Sequence, residues 1–518
     1  MKKIIFLTLL LTMTQVHATV KLHKIFGDNM VLQRDVEIPI FGYSDGNMPI
    51  KITFNGITKT AEVVAGKWKV YFPKMNAGGP YDITVEETNK VLLNNVMIGD
   101  VWICSGQSNM EFRLSYSNAY KNNSVNFNNN NIRFYEVKKA IASTPKDEMP
   151  NQSATWQVAS KESIKSFSAV AYYFADILEE EIHVPIALIG SYWGNTTVDK
   201  WIPKEPLSKD IKLATILDDY ENFQEEYPIR KEKLDNEFNE WQAEKLKNPK
   251  AKMPWKFKKI HATKGSGEED DFARPSALYN AMINPLIEFP IKGVIWYQGE
   301  SNAKTDEMAV FYEYLFSNLI ISWREKWAVN FPFYYVQLAS YGKVEQKPSN
   351  SVWARLRESQ ANALKLKNTG MAVAIDLGEE SNIHPTYKKL LGERLALQAL
   401  KNTYNKNIVS NGPSFKEMKI EGNEIRLMFN NTGSGIIAKA VLLDTHQLNS
   451  NELLGFSICG EDKIFVWAKA KIIGNQIIVS NPNVKNPIAV RYGWADFPLC
   501  NFYNKEGLPA TPFRTDSF

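Results

Sequence analysis

Apolar and polar residues alternate along Ile50 to Phe54 and Trp68 to Phe72, and Asp-Gly, Asn-Gly, Ala-Gly and Gly-Gly turns punctuate the chain from Val20 to about Asn95. This period-two pattern predicts a small antiparallel β domain over residues 19–95. From residue 96 to about 404, apolar runs of strand length alternate with stretches of helical spacing, such as Ser168 to Glu181, Met308 to Trp323 and Pro385 to Lys401. That alternation predicts an α/β domain, a parallel sheet covered by helices. From about Lys416 the alternation returns in Glu424 to Phe429, Lys463 to Ala468 and Gln476 to Val479, predicting a C-terminal β domain over 405–518. Within the α/β region, residues from about 204 to 271 form a charged insertion. Ile216, Tyr220, Phe223 and Tyr227, then Leu234, Phe238 and Trp241, recur there at helical spacing, which predicts a pair of amphipathic helices packed on the flank. A second reading makes the insertion a lid, because it closely follows the loop around Gly194. Residues 264–271 read as a surface loop.

Four apolar runs end alike. Gly99 to Met110 carries a strand into a polar turn presenting Ser108; residues 184–189 run into Gly-Ser-Tyr-Trp-Gly-Asn-Thr; residues 293–297 run into Gln-Gly-Glu-Ser-Asn; and Met371 to Asp376 is followed by Ser-Asn-Ile-His-Pro at 381–385. Continuous apolar runs closed by small and amide residues suit buried parallel strands that deliver polar groups at their carboxyl ends. A serine acts as a nucleophile only when exposed beside a base, with donors near the developing oxyanion. One such turn alone would serve equally well as a helix cap. The other three loops add a glycine, an asparagine and a histidine, each beyond a separate strand. Of six histidines, only His384 lies in a loop after a buried strand, and an imidazole pKa near 6.5 suits general-base work.

These loops resemble the SGNH hydrolases and, within them, the sialate O-acetylesterase family. The resemblance extends to Asn-Met-Val-Leu-Gln-Arg at 29–34, Asn-Ala-Gly-Gly-Pro-Tyr at 76–81, Ala-Val-Arg-Tyr-Gly-Trp at 489–494 and Gly-Leu-Pro-Ala at 507–510. It implies a flavodoxin-like three-layer catalytic domain over 96–404, flanked by the two β domains. It also implies a secreted carbohydrate esterase that removes O-acetyl groups from sialic acids through a serine acyl-enzyme. Ser108 would be the nucleophile, His384 the base, and Gly194 and Asn302 oxyanion donors. Trp193 and Gln298 adjoin these loops as candidate substrate contacts, and Arg113, Arg355 and Arg357 are candidates to clamp a sialate carboxylate. Where the family usually carries an aspartate, two residues before the histidine, this chain has Asn382. Its side-chain carbonyl is a candidate to accept from the imidazole Nδ1 and orient His384; Asp376, Glu379 and Glu380 are the neighbouring alternatives. Two other readings stand beside this one: a deacetylase of another acetylated glycan such as xylan, and a non-catalytic glycan-binding protein.

Charge and composition narrow the partners. Residues 1–18 combine two lysines, a short apolar stretch and a Val-His-Ala ending, the pattern of a cleavable secretory signal directing the chain to the periplasm or outside the cell. Without it, 59 Lys and Arg stand against 57 Asp and Glu, a balance that argues against nucleic acid or a membrane surface as partner. Cys104, Cys459 and Cys500 are too few for a disulfide framework and too scattered for a zinc site, although Cys459 and Cys500 have the option of pairing in an oxidising compartment. No metal-binding, phosphate-binding or dinucleotide motif occurs, so the sequence predicts no cofactor.

Overall fold

The computed structural model describes residues 19–122, 125–150, 155–252 and 272–518. The expected signal segment and the 264–271 loop lie outside the described residues. Seven strands form the sheet that positions the site: β1 (Lys90–Gly106), β2 (Asn129–Glu136), β3 (Gln157–Ala159), β4 (Ile186–Tyr192), β5 (Gly293–Tyr297), β6 (Phe333–Gln337) and β7 (Thr369–Val373). Their order is β3-β2-β4-β1-β5-β6-β7, parallel throughout except for β3 against β2. Every residue of β4, β5 and β6 is buried, as expected of strands covered on both faces.

Successive side chains point to opposite faces of a strand, and the ring contacts follow that rule. Trp102 packs on Phe174 and stacks on Tyr334, whereas Trp296 packs on Phe316, Trp323 and Phe333. Phe174 belongs to helix α1 (Ala169–Ile182), and Phe316 and Trp323 belong to α4 (Asp306–Trp327), so helices cover both faces. Ser168 caps α1 by accepting from Ala171 N–H, and Thr305 caps α4 by accepting from Met308 N–H, which explains why both helices start there. Between them lie the insertion helices α2 (Ile211–Glu225) and α3 (Tyr227–Lys247). The insertion meets α4 on its flank, through Lys326 to Glu205 at 3.2 Å and Lys212 to the Tyr314 hydroxyl at 3.1 Å. Helices α5 (Val352–Asn362) and α6 (Lys388–Asn402) complete the α/β part.

The boundary expected at 95–96 falls inside β1, which runs unbroken for 17 residues. Its first half pairs antiparallel with Gly78–Glu86, and its second half lies between β4 and β5. Asn95, with φ of 58°, lies at a register shift within the antiparallel pairing, which runs on to Ile98 before the parallel pairing with β4 begins at Asp100. Beyond residue 405 are two four-stranded and two two-stranded sheets; of the strand expected over 463–468 only Val466–Trp467 forms, and Lys469–Ile473 follows it in the other four-stranded sheet. Arg357, fully buried, straps this region to the α/β part by donating to the carbonyls of Leu338, Ala339, Ala495 and Asp496. The three cysteines are buried and free. No described helix is long and apolar enough to cross a membrane.

Candidate active site

The register aligns three loops. Gly106, which ends β1, sits opposite Tyr192 of β4 on one side and Tyr297 of β5 on the other. Only glycine fits at 106: its φ is +136°, and a Cβ there would lie 2.1 Å from the Tyr297 carbonyl oxygen. Gln107 N–H then donates to that same carbonyl at 2.9 Å, and Ser108 opens a one-turn helix, Ser108–Glu111. The first N–H groups of a helix have no intrahelical acceptor, so the Ser108 N–H is left to donate outward. The Ser108 hydroxyl lies 2.8 Å from His384 Nε2.

Asn302 is held from behind. Its Oδ1 accepts from Val198 N–H at 3.1 Å and from Gln298 Nε2 at 2.7 Å, so two donors fix which end of the amide faces inward. The Nδ2 group is left without a partner among the described residues. Gln298 is fully buried and is itself oriented by Thr196 O, to which its Nε2 donates, and by the Tyr312 hydroxyl, which donates to its Oε1. This corrects the expectation of a substrate contact: the spacing put Gln298 in the right loop, but β5 packing turns its side chain inward, where it positions Asn302. Trp193 does lie at the rim, half-buried, with its ring against Phe272 at 5.0 Å and the Lys139 ammonium over it at 5.6 Å. Gly194 approaches Ser108 so closely that a Cβ there would stand 3.1 Å from Ser108 Cβ. Its N–H donates to Glu111 Oε2 at 2.9 Å, and Glu111 Oε1 pairs with Lys139 at 2.5 Å.

The His384 loop differs from expectation. Asn382 Oδ1 accepts from the main-chain N–H of His384 at 3.0 Å, not from the ring, while its Nδ2 donates to Glu379 Oε2 at 2.7 Å and to His384 O at 2.9 Å. A side chain two residues back closes an Asx-type turn more readily than it spans to the imidazole. The alternatives are engaged elsewhere. Asp376 binds Arg394 and the Tyr503 hydroxyl; burial pushes its carboxyl up, but those partners outweigh it and hold the group below its ordinary pKa. Glu379 accepts from Thr386, and Glu380 pairs with His446. No carboxylate among the described residues meets the imidazole Nδ1.

Burial lowers the His384 pKa below its usual value, and the charge of Lys388 lowers it further, against an opposite pull from Glu111. Glu111, Asn109, Glu300 and Lys388 were not singled out from the sequence. Glu300 stands in the Gln-Gly-Glu-Ser-Asn loop in plain view, but nothing local signals its burial; Lys388 reads only as the start of a helix. No cluster of three or more ligands suited to a metal ion occurs among the described residues.

A family model described as "carbohydrate esterase, sialic acid-specific acetylesterase" matches residues 258–401. The sialate O-acetylesterase of Mus musculus is 28% identical across 93% of this chain and 92% of its own length, and that of Homo sapiens 26% across 94% and 90%. A crystal structure of a carbohydrate acetylesterase from Xanthomonas citri superposes with a TM-score of 0.79 at 33% identity, covering 96% of this chain and all of that one. A fold shared from end to end, with a third of the residues in common, leaves one conclusion: the chain is an esterase and belongs to the sialate O-acetylesterase family of carbohydrate esterases.

Proposed function

We propose that this esterase removes O-acetyl groups from sialic acids by way of a Ser108 acyl-enzyme. The domain would be of the SGNH three-layer type, spanning 96–404 between β domains at 19–95 and 405–518. A signal at 1–18 would carry the protein to the periplasm or beyond. One observation carries the mechanism: the Ser108 hydroxyl sits 2.8 Å from His384 Nε2, and the loop after the neighbouring strand β5 holds Asn302 by its Oδ1, leaving the amide donor without a partner among the described residues. His384 takes the serine proton as Oγ attacks the acetyl carbon. The oxyanion is held by Ser108 N–H and Asn302 Nδ2, and by Gly194 N–H once the oxyanion displaces Glu111 from it. The imidazolium protonates the departing sugar oxygen. Water, deprotonated by the same ring, then attacks the acyl-enzyme and releases acetate.

A second reading, action on another acetylated glycan such as xylan, draws support from the arginines. Arg357 is used up on main-chain carbonyls, and Arg355 lies by Glu358 and Trp494. Only Arg113, exposed and without an ion pair among the described residues, is left of the three foreseen carboxylate clamps. The test has two parts. Ser108→Ala should release acetate from a chromogenic acetyl ester at background rate while melting at the wild-type temperature, since a hydroxyl-to-hydrogen change in a loop costs little stability; substantial residual turnover removes Ser108 from the mechanism. The wild type should prefer O-acetylated sialic acid to acetylated xylan in kcat/KM, and the reverse preference selects the second reading.

A further inference from the structure

Behind the Ser108–His384 pair lies a buried polar cluster that acyl transfer does not itself require. Asn109 is 1% exposed, Lys388 1% and Glu300 8%. Asn109 Nδ2 donates to Glu300 Oε1 at 2.5 Å and to Ile383 O at 2.9 Å, while its Oδ1 accepts from Lys388 Nζ at 2.6 Å. One amide, on the residue next to Ser108, thus touches the residue before His384, the turn that carries Asn302 and the start of α6. Its orientation is dictated by charge, carbonyl to ammonium and amide to carboxylate. The Lys388 ammonium also faces the rings of Phe112 at 4.8 Å and Tyr297 at 5.3 Å, an arrangement favourable to a cation.

We propose that Lys388, Asn109 and Glu300 form a brace that sets the separation of Ser108 and His384, with Lys388 a positioning residue. This rests on the reading of Ser108 and His384 as nucleophile and base. Burying an ammonium and a carboxylate costs more than filling the space with apolar side chains, so packing alone gives no reason for the cluster. Glu300 Oε2 is left without a partner in the interior, and Lys388 and Glu300 meet only through the amide between them. Position and charge are what such an arrangement supplies. Lys388 and Glu111 are the charged groups acting on His384, while Glu300 and Glu379 act on Lys388. Burial brings the Lys388 pKa down to about 7, so the ammonium is charged across the acidic range where His384 titrates and there opposes the imidazolium.

The experiment compares Lys388→Met and Asn109→Ala with the wild type by the pH dependence of kcat/KM on a chromogenic acetyl ester, alongside thermal melting. Lys388→Met keeps the volume and removes both the hydrogen bond and the charge: kcat should fall about tenfold or more with KM little changed, and the acidic limb should move to higher pH. Asn109→Ala removes the cross-link but leaves the charge, so kcat should fall similarly while the limb moves much less. Combining the two should cost less in kcat than the product of the single effects, because both break one connection. A folded Lys388→Met with unchanged kcat and an unmoved limb overturns the proposal. If Lys388→Met fails to fold, Asn109→Ala decides, and a wild-type kcat in that variant overturns it. Ser108→Ala is assayed in parallel: activity surviving there sinks the nucleophile assignment, whereas its loss together with indifferent Lys388 and Asn109 variants sinks only the brace.

Discussion

The two sides of Ser108 are held in different ways. On the oxyanion side, Asn302 and every group that orients it, Val198, Gln298, Thr196 and Tyr312, are buried, and each hydrogen bond in the chain fixes the next. On the His384 side, His384, Asn382 and Glu379 are only half-buried, the turn is held by a main-chain cap and by the Asn109 bond to Ile383 O, and among the described residues the ring bonds only to Ser108. The difference matches what each side must do. Under the proposed mechanism, charge develops on the acetyl oxygen within one step, and donors that need not reorient stabilise it most. Proton transfer asks only for a neutral ring within reach. The tighter of the two sides is thus the one proposed to meet the oxyanion.

Three changes break or sharpen that contrast. The largest expected effect is on the rigid side: Asn302→Ala should lower kcat roughly a hundredfold to a thousandfold with little change in KM, because its donor acts mainly in the transition state. If steady-state kinetics show KM alone rising, Asn302 is a ground-state contact and the contrast fails. On the looser side, Asn382→Ala should reduce kcat by only about tenfold, equivalent to about 1.4 kcal/mol of lost positioning, and should leave the acidic limb of the pH profile where it is. A limb that moves would show residue 382 acting on the ring after all. The substitution that the sequence alone invites, Asn382→Asp, would instead set a second carboxylate against Glu379 and forfeit both Nδ2 hydrogen bonds.

The smallest expected effect concerns Glu111. With His384 lowered by burial and by Lys388, the wild-type acidic limb should lie below about 6.5, since the base works only when neutral. Glu111 pulls the other way, stabilising the imidazolium. Glu111→Gln keeps an acceptor for Gly194 N–H but removes that charge, so the limb should move to still lower pH, by less than about one unit for a charge that solvent reaches. A shift to higher pH would mean that Glu111 acts on the ring through the Gly194 loop and not through its charge.

Much of the architecture was legible because burial is written into short stretches of chain. The apolar run at 293–297 is β5 to the residue, and the helices starting at 169 and 306 begin where Ser168 and Thr305 cap them. A strand buried on both faces must expose its polar groups past its end, which is why Ser108, Gly194, Asn302 and His384 stood out as four loops of one sheet. The sequence by itself thus determined the elements, their alternation and which loops gather polar groups at the strand ends. What each polar side chain in those loops touches was decided by the tertiary structure. Asn382, a candidate to face the ring, faces the main chain; Gln298, a candidate substrate contact, faces Asn302. The brace joins Asn109 to Glu300 and to Lys388 across 191 and 279 residues of chain. Hydrogen bonds depend on distance and angle to within tenths of an ångström, and for groups so far apart in sequence that geometry exists only once the sheet has brought its strand ends together.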